Sequence, residues 1–358
     1  MAISLDPALR SWLDEAATGL DRGTADPASV LPRLAAAGVF RIGVPEELGG
    51  TGGDVTDAVE AVAAISERSL AAGFVAWGHR TFIEYLLQSP NDALRDRLLP
   101  ALLAGEVAGA TGMSNAMKAL AGLEEIGIAA RQEGERQVLD GRLPWVTNLR
   151  AQGFHVAAAV APLEGGEPFC VSLPSDAHGL QRSDDLDLLA MRSTSTAAVD
   201  IRAVPVGPEN VLHPNAGHWL PRVRPAFLGL QCGMSIGLAR RALAEAAACG
   251  GAARHVLLEP VARLTADLSA QQRALFEGLQ DGRFVADAPS LFRIRIALAE
   301  IVAEATGLEL QASGGRAYLT VPGEGFARRW REAAFIPVIT PSLVQLRAAL
   351  AGQAARAA

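Results

Sequence analysis

His79 is a candidate catalytic side chain in this sequence. It lies in the run Trp77-Gly78-His79-Arg80. Histidine suits proton transfer because its unperturbed pKa lies close to neutral pH. A single histidine on an apolar helix is more often structural, so a catalytic and a structural interpretation both stand. Arg80 and Glu84, one helical turn apart, are expected to form a surface ion pair.

Trp145 and Thr147 bring a flat indole and a hydroxyl close together in the run Leu143-Pro144-Trp145-Val146-Thr147-Asn148. An indole packs well on another flat ring, and a hydroxyl can bond the polar edge of such a ring. This pair therefore indicates a site for a flat aromatic ligand. The alternative is that Trp145 is a core aromatic residue of a β-sandwich.

A glycine pair, Gly314-Gly315, follows Gln311 near the C-terminal end. Glycines allow a backbone to approach a ligand closely. Gly314 could equally end a helix in the left-handed conformation. The two interpretations are compatible.

Composition limits the classes of function. The 358 residues carry a net charge of −7 with a pI of about 5.5, so nothing in the charge balance indicates nucleic-acid binding. No apolar stretch reaches the ~18 residues that span a bilayer. The N-terminus lacks the layout of a signal peptide, which predicts a cytoplasmic protein without a membrane contact. The three cysteines show no metal-site spacing, so no metal is expected.

The spacing of apolar residues along the chain changes twice. Apolar residues recur at helical spacing over residues 1–109, and alternating Val- and Ile-rich runs broken by Gly and Pro fill residues 110–215. A long Ala- and Leu-rich helical pattern returns over residues 216–358. The sequence therefore predicts an α+β protein with three domains: N-terminal helices, a middle β-barrel or sandwich, and a C-terminal four-helix bundle.

The turn-rich block at residues 43–53, GVPEELGGTGG, separates two predicted helices. With its Val-Pro-Glu-Glu string and both Gly pairs, it resembles the early signature of the acyl-CoA dehydrogenase family of flavoproteins. The segments MRSTST at 191–196 and VPVGPENVL at 204–212 resemble the end of that family's β domain. Ser193 and Thr194 there predict a polar, ligand-facing loop. The resemblance extends from about Leu31 to Arg347 and implies an FAD cofactor.

The resemblance also assigns residues to the flavin. Trp145 and Thr147 match a strand that lies beside the isoalloxazine ring, with the hydroxyl near N5. Met113 and Ser114 match a loop against the flavin, although the family's Glu, Pro and Gly are absent from it. Ser342 aligns with a flavin-contacting threonine.

The nucleotide end of the flavin is matched by fewer residues. Gln311, Gly314 and Gly315 match an element that reaches the adenine end across a subunit contact, which implies a homodimer or homotetramer. Arg254 is the only residue that matches the family's pyrophosphate-binding Arg-x-x-Phe-Gly segment.

The catalytic position departs from the family pattern. Removal of an α proton from an acyl thioester suits a carboxylate with a modestly raised pKa. Thr340 stands where the family has its glutamate, and a threonine cannot accept a proton near neutral pH. The alternative position, within residues 225–230 of the first bundle helix, contains no acid either. The backbone N–H of Thr340 remains able to donate to a thioester carbonyl.

Three functions follow from these matches. The first is a flavin-dependent oxidoreductase that dehydrogenates the CH–CH group of an acyl-CoA or acyl-carrier thioester, with an unidentified electron acceptor. The second is an oxygen-activating monooxygenase or oxidase of the same superfamily, for which His79, Ser114 and Thr147 would serve. The third is a degenerate relative that binds an acyl group or a partner protein without catalysis.

Overall fold

The structure is a computed structural model that describes the backbone of residues 4–134, 136–251 and 253–357, and side chains as far as residue 353. The helices are α1 Pro7–Arg22, α2 Val30–Ala36, α3 Val55–Ser66, α4 Leu70–Leu87, α5 Asp92–Leu103, α6 Ser114–Leu120, α7 Ala216–Ala248, α8 Leu258–Gln280, α9 Ala288–Ser313, α10 Glu324–Phe335 and α11 Leu343–Ala357. The strands are β1 Ala108–Thr111, β2 Ala129–Glu133, β3 Arg136–Val146, β4 Phe154–Pro162, β5 Phe169–Pro174, β6 Leu180–Arg182, β7 Ala197–Val206 and β8 Val211–His213.

The glycine-rich block between α2 and α3 is a folded turn held by the helices around it. A backbone bridge joins Val44 to Gly52. Gly43 has a φ of +68°, and a Cβ there would collide with the carbonyl oxygen of Asp54. Arg80 of α4 donates from Nη2 to the Gly43 oxygen at 2.9 Å. The block therefore positions α3 against α4.

The eight strands form one mixed sheet in the order β6-β7-β3-β2-β4-β5-β8, and β1 pairs with β4 in parallel. The pairs β2–β3, β3–β7 and β4–β5 are antiparallel, and β2–β4 is parallel. The register of β3 against β7 shifts between Leu143 and Val146. The strand thus becomes irregular at the segment that contains Trp145.

Helix α7 is the axis of the C-terminal region and packs against α3, α4, α8 and α9. Gly233 and Gly237 lie one turn apart on its α3-facing side. A Cβ at Gly233 would lie 2.7 Å from the carbonyl oxygen of Val59, and a Cβ at Gly237 would overlap that of Ala63. Glycine spacing of this kind lets two helix backbones approach closely. The predicted fold class, with helices before and after a middle sheet, is confirmed.

Helix α6 is an element that the sequence analysis did not predict. Its residues, SNAMKAL, lie in the region assigned to strands, yet Ala, Met, Lys and Leu all favour helix. Without the Pro and Gly that end helices, these residues complete about two turns. The helix packs against α7, between the sheet and the C-terminal helices. Separately, no helix within the described residues combines the length and apolarity needed to cross a membrane.

Candidate functional site

The loop between α10 and α11 contains Thr340, at the expected catalytic position. Thr340 is half-buried, and its carbonyl oxygen accepts a hydrogen bond from Nε2 of Gln231 on α7 at 3.0 Å. Arg295 of α9, which is fully buried, donates to Gln231 Oε1 at 2.8 Å and to the Ile336 carbonyl oxygen at 2.7 Å. A chain of hydrogen bonds from Arg295 of α9 through Gln231 of α7 thus fixes this loop, and Thr340 supplies no side chain that could act as a base.

The second expected base position, on α7, is filled by an aromatic cluster. Phe227 is 1% exposed, and its ring meets the Trp77 ring edge-on at a centroid distance of 5.4 Å. Phe74 stacks on Trp77 at 5.4 Å and meets Phe335 at 4.8 Å. These four rings occupy the space where α4, α7 and α10 meet. An acid or an acyl chain has no room there without displacing them.

His79 lies in the interior of α4 and is fully buried. Its Nδ1 accepts a hydrogen bond from the backbone N–H of Gly109 at 2.9 Å, and its Nε2 lies 2.9 Å from the Leu102 carbonyl oxygen. These partners require the tautomer with a proton on Nε2. Burial lowers the pKa of His79 to about 4, and the nearby Arg150 and Arg80 also lower it. Because both nitrogens are engaged, the geometry agrees with the structural interpretation and leaves none free for a substrate.

Trp145 and Thr147 have different surroundings. Trp145 is 62% exposed, so its indole is not packed shut by neighbouring side chains. Thr147 is buried, and its hydroxyl donates to the Thr194 carbonyl oxygen at 3.2 Å. Its methyl group faces Gly78 of α4, where a Cβ would lie 2.9 Å away. The indole is therefore available to a ligand, whereas the hydroxyl already has an acceptor.

Met113 and Ser114 lie at the start of α6. Met113 is fully buried and belongs to the hydrophobic core. Ser114 is the first residue of the helix and is half-buried. Ser342, at the other side of the site, caps α11: its N–H donates to Gln345 Oε1 at 2.7 Å, and Gln345 N–H donates to the Ser342 hydroxyl at 3.4 Å. The Ser342 hydroxyl thus faces the helix end.

The residues matched to the nucleotide end come together although they are far apart in sequence. Arg254 begins a 3₁₀ segment before α8, and its Nη2 would lie 2.9 Å from a Cβ on Gly314. Gly314 has φ 59° and ψ −145°, a conformation open essentially to glycine alone. Arg254 Nε is buried and has no hydrogen-bond partner among the described residues. Gln311 lies on the last turn of α9 and is exposed. Gly315 follows Gly314 in the next 3₁₀ segment.

Two expectations are wrong. The loop at Ser193 and Thr194 does not face a ligand: both residues are buried, Ser193 donates to the Ala25 carbonyl oxygen, and Thr194 donates to the Met191 carbonyl oxygen. This loop instead fastens the sheet to α1. The pair between Arg80 and Glu84 is buried rather than on the surface, because Arg80 also holds the glycine-rich turn.

The sequence analysis also missed a cleft, which we name the α6 cleft. It measures about 100 Å³. Its lining comes from α6 and the turn after it, from α7, α9 and α11, and from the residue after Thr340, namely Met117, Lys118, Leu120, Ala121, Leu123, Arg224, Leu228, Phe292, Pro341, Gln345, Leu346, Ala349 and Gln353. This lining contains no carboxylate and no imidazole. The only signal in the sequence was Arg224, a charged residue one turn before Leu228 in an apolar stretch.

These residues fit a flavin nucleotide in part. The exposed indole of Trp145 offers a flat wall, and the unpaired Arg254 Nε beside Gly314 offers a cation and an open backbone for a diphosphate. The Thr147 hydroxyl is already engaged. The α6 cleft is smaller than the ~300 Å³ at which ligand pockets usually begin. The nucleotide end therefore fits better than the ring end.

Comparison with known proteins gives relatives by sequence over part of the chain. Residues 8–106 match the acyl-CoA dehydrogenase N-terminal domain. The mitochondrial isovaleryl-CoA dehydrogenase of Pongo abelii is 30% identical over 193 residues, which are 52% of this chain and 45% of that protein. The match thus spans about half the length of this relative.

Comparison of folds extends over the whole chain. The structure of a glutaryl-coenzyme A dehydrogenase in complex with glutaryl-CoA superposes with a TM-score of 0.81 at 18% identity, covering 98% of this chain and 96% of that one. Dibenzothiophene monooxygenase from Paenibacillus sp. A11-2 gives 0.79 at 19% identity, covering 95% and 93%. At such identities the likeness establishes the fold and not the reaction. Residues 8–106 thus match the N-terminal domain of acyl-CoA dehydrogenases, and the whole chain has the fold of these two structures.

Proposed function

We propose that this protein is a flavin-binding oxidoreductase component that acts on an acyl-CoA or acyl-carrier thioester. The observation that carries the proposal is the meeting of Arg254 with Gly314. The two residues are far apart in sequence, both match the family's nucleotide-binding elements, and the guanidinium keeps an unpaired buried N–H. A guanidinium beside an open glycine backbone is well suited to a diphosphate.

In this proposal Arg254, Gly314 and Gly315 hold the nucleotide, with Gln311 close to its adenine end, and Trp145 packs on the ring. Met113, Ser114 and Ser342 line the approach to the ring from α6 and α11. FAD is the flavin that this arrangement favours, because the cation and the glycines lie at a separate nucleotide site. A bound flavin would supply an acceptor for a hydride.

The chain's own residues limit the chemistry. Dehydrogenation needs a base at the α carbon of the acyl group. Within the described residues, the loop that contains Thr340 offers a hydroxyl and a carbonyl already bonded to Gln231, and the α7 position offers the Phe227 ring. We therefore expect that the isolated chain does not remove the α proton with a side chain of its own.

A second candidate function is binding of an acyl group or a partner protein without catalysis. Two observations favour it: the four-ring cluster around Trp77 fills the α4–α7 space, and the α6 cleft has a volume of only about 100 Å³. The oxygenase alternative has no free imidazole at His79, because both ring nitrogens are hydrogen-bonded to backbone groups.

Flavin extraction and identification, followed by anaerobic titration, test these alternatives. Yellow protein that bleaches with an acyl-CoA supports dehydrogenation. Yellow protein that ignores acyl-CoA but is oxidised rapidly by oxygen after chemical reduction supports the oxygenase. Protein that stays colourless and takes up no FAD refutes the proposal and supports binding without catalysis.

An Arg254→Leu variant tests whether the contact of Arg254 with Gly314 forms the nucleotide site. It should lose FAD affinity by about 2 kcal/mol, as expected for removal of a charge-assisted hydrogen bond. Arg263→Leu is a suitable control, because Arg263 lies on the exposed side of α8 and pairs with Asp267. Equal FAD binding by the wild type and Arg254→Leu would show that the nucleotide lies elsewhere.

A further inference from the structure

The α6 cleft has apolar walls and one unusual cation. Met117, Leu228, Phe292 and Leu346 supply carbon surface from four different helices. Arg224 enters this surface from α7, and its guanidinium carbon lies 5.6 Å from the centroid of the Phe292 ring. A cation over an aromatic face is attracted to it, but this contact gives the guanidinium no hydrogen-bond acceptor, and the buried Nε has none among the described residues.

Arg224 has no anionic partner among the residues that the structure describes. No carboxylate within the described residues lies at ion-pair distance from it, and its Nε is buried without a hydrogen-bond partner. Burial lowers the pKa of Arg224, yet a guanidinium stays protonated at any ordinary pH. Arg224 is half-buried, and partial removal of a charge from water is costly unless an opposite charge lies close to it.

The other polar groups of the cleft define the charge of that missing partner. Lys118 forms an ion pair with Glu124, so it adds no net charge. Gln345 is engaged as the cap of α11. Gln353 has a buried side-chain oxygen that no donor reaches. If the side-chain amide were rotated by about 180°, its NH₂ group would point to an acceptor instead. Arg224 therefore leaves the cleft with one uncompensated positive charge and two sets of free N–H groups.

We propose that the α6 cleft binds a carboxylate joined to a short apolar body, with Arg224 as the anchor. The planar guanidinium matches the two oxygens of a carboxylate, and its single charge matches a monoanion better than a phosphate dianion. A dry cavity of 150 Å³ accepts a molecule of benzene's size, so about 100 Å³ suits a body of roughly four to six heavy atoms.

The place of the cleft suggests what such a ligand is for. Pro341 lines it, and Pro341 directly follows Thr340 at the expected catalytic position. A carboxylate bound to Arg224 would be the free end of an acyl group whose thioester lies toward that loop. This role as a substrate subsite rests on the proposed function. The binding of the carboxylate does not, and it can be measured without flavin.

Ligand-observed NMR titration of the full chain with butyrate, and with the neutral isostere butyramide, tests the inference. Butyrate should bind at least about tenfold more tightly than butyramide. Arg224→Leu should remove this difference, and Arg224→Lys should restore part of it, because an ammonium keeps the charge but not the paired N–H geometry. Arg222→Ala, an exposed arginine on the same helix, is the matched control and should bind as the wild type does.

A second variant distinguishes loss of the binding site from loss of the folded structure. Ala349→Phe fills the cleft from α11 and keeps Arg224, so it should abolish butyrate binding while the thermal unfolding curve stays close to that of the wild type. The inference is overturned if butyrate and butyramide bind equally, if Arg224→Leu binds butyrate as the wild type does, or if the wild type binds none of propionate, butyrate and hexanoate. Flavin content is read separately: colourless protein that binds butyrate refutes only the proposed function, and yellow protein that ignores it refutes only this inference.

Discussion

The buried arginines of α10 and the half-buried arginine of the α6 cleft have opposite surroundings. On α10, Arg328 pairs with Glu332 at 2.9 Å and Arg329 pairs with Glu309 of α9. At the cleft, Arg224 lies over the Phe292 ring, and its Nε has no hydrogen-bond partner within the described residues. A charge that holds helices together has its counter-ion in the chain. A charge without one indicates that the counter-ion comes from outside.

Breaking a pair on α10 should have the largest effect. Glu309→Ala leaves Arg329 buried without a partner, which should lower the free energy of unfolding by about 3–5 kcal/mol. Urea unfolding followed by circular dichroism measures this. The double variant Glu309→Leu with Arg329→Met should recover most of the loss. A loss below about 1 kcal/mol in the single variant would show that the pair does not stabilise the α9–α10 contact.

His79→Leu should cause the second-largest loss in the free energy of unfolding. The substitution orphans the Gly109 N–H and the Leu102 carbonyl oxygen, and each unsatisfied buried group costs about 1–3 kcal/mol. We expect a loss of about 3 kcal/mol in the same assay, and no change at the exposed control His178→Leu. If His79 were catalytic instead, activity would fall while stability stayed unchanged.

The free energy of unfolding should depend on pH because His79 and His155 have lowered pKa values in the folded protein. The pKa of His79 is about 4 in the folded protein and near 6.5 when unfolded, and burial lowers that of His155 to about 4 as well. Above pH 6.5 both states are neutral and stability is complete. As pH falls from 6.5 toward 4 the unfolded state takes up protons first, so each histidine should cost about 1.4 kcal/mol per pH unit. The urea midpoint against pH should slope less steeply in His79→Leu.

The cap of α11 is a smaller test of the loop beside the cleft. Ser342→Ala removes the hydroxyl that accepts from Gln345 N–H and should cost about 1 kcal/mol of unfolding free energy. Ser342→Asp should keep most of the cap. If Ser342→Ala lowered FAD affinity and left the urea midpoint unchanged, the hydroxyl would be a flavin contact rather than a cap.

Arg224→Met should have the smallest effect on stability. Because no carboxylate of the described chain is lost with it, the free energy of unfolding should stay within about 1 kcal/mol of the wild type, or rise. The test is the difference between the losses in unfolding free energy of Glu309→Ala and Arg224→Met. A loss of several kcal/mol from Arg224→Met would give the cleft arginine a structural role and remove the difference between the two regions.

The sequence was sufficient for the fold. Hydrophobic periodicity predicted the helix–sheet–helix order, but the resemblance assigned Arg254 and Gly314 to separate nucleotide-binding elements and did not predict that they meet within one chain. The geometry around His79 could not be read from sequence, because its partners are backbone groups of Leu102 and Gly109. Helix α6 was missed because its seven residues lie in a region of predicted strands, although Ala, Met, Lys and Leu themselves favour helix.

Lys118 has a practical consequence. It is the only lysine among 32 basic residues, and it stands on α6 at the edge of the cleft, beside Glu124. Amine-selective reagents can therefore modify one side chain besides the terminal amino group. A fluorophore attached there would report on this helix without any engineered cysteine.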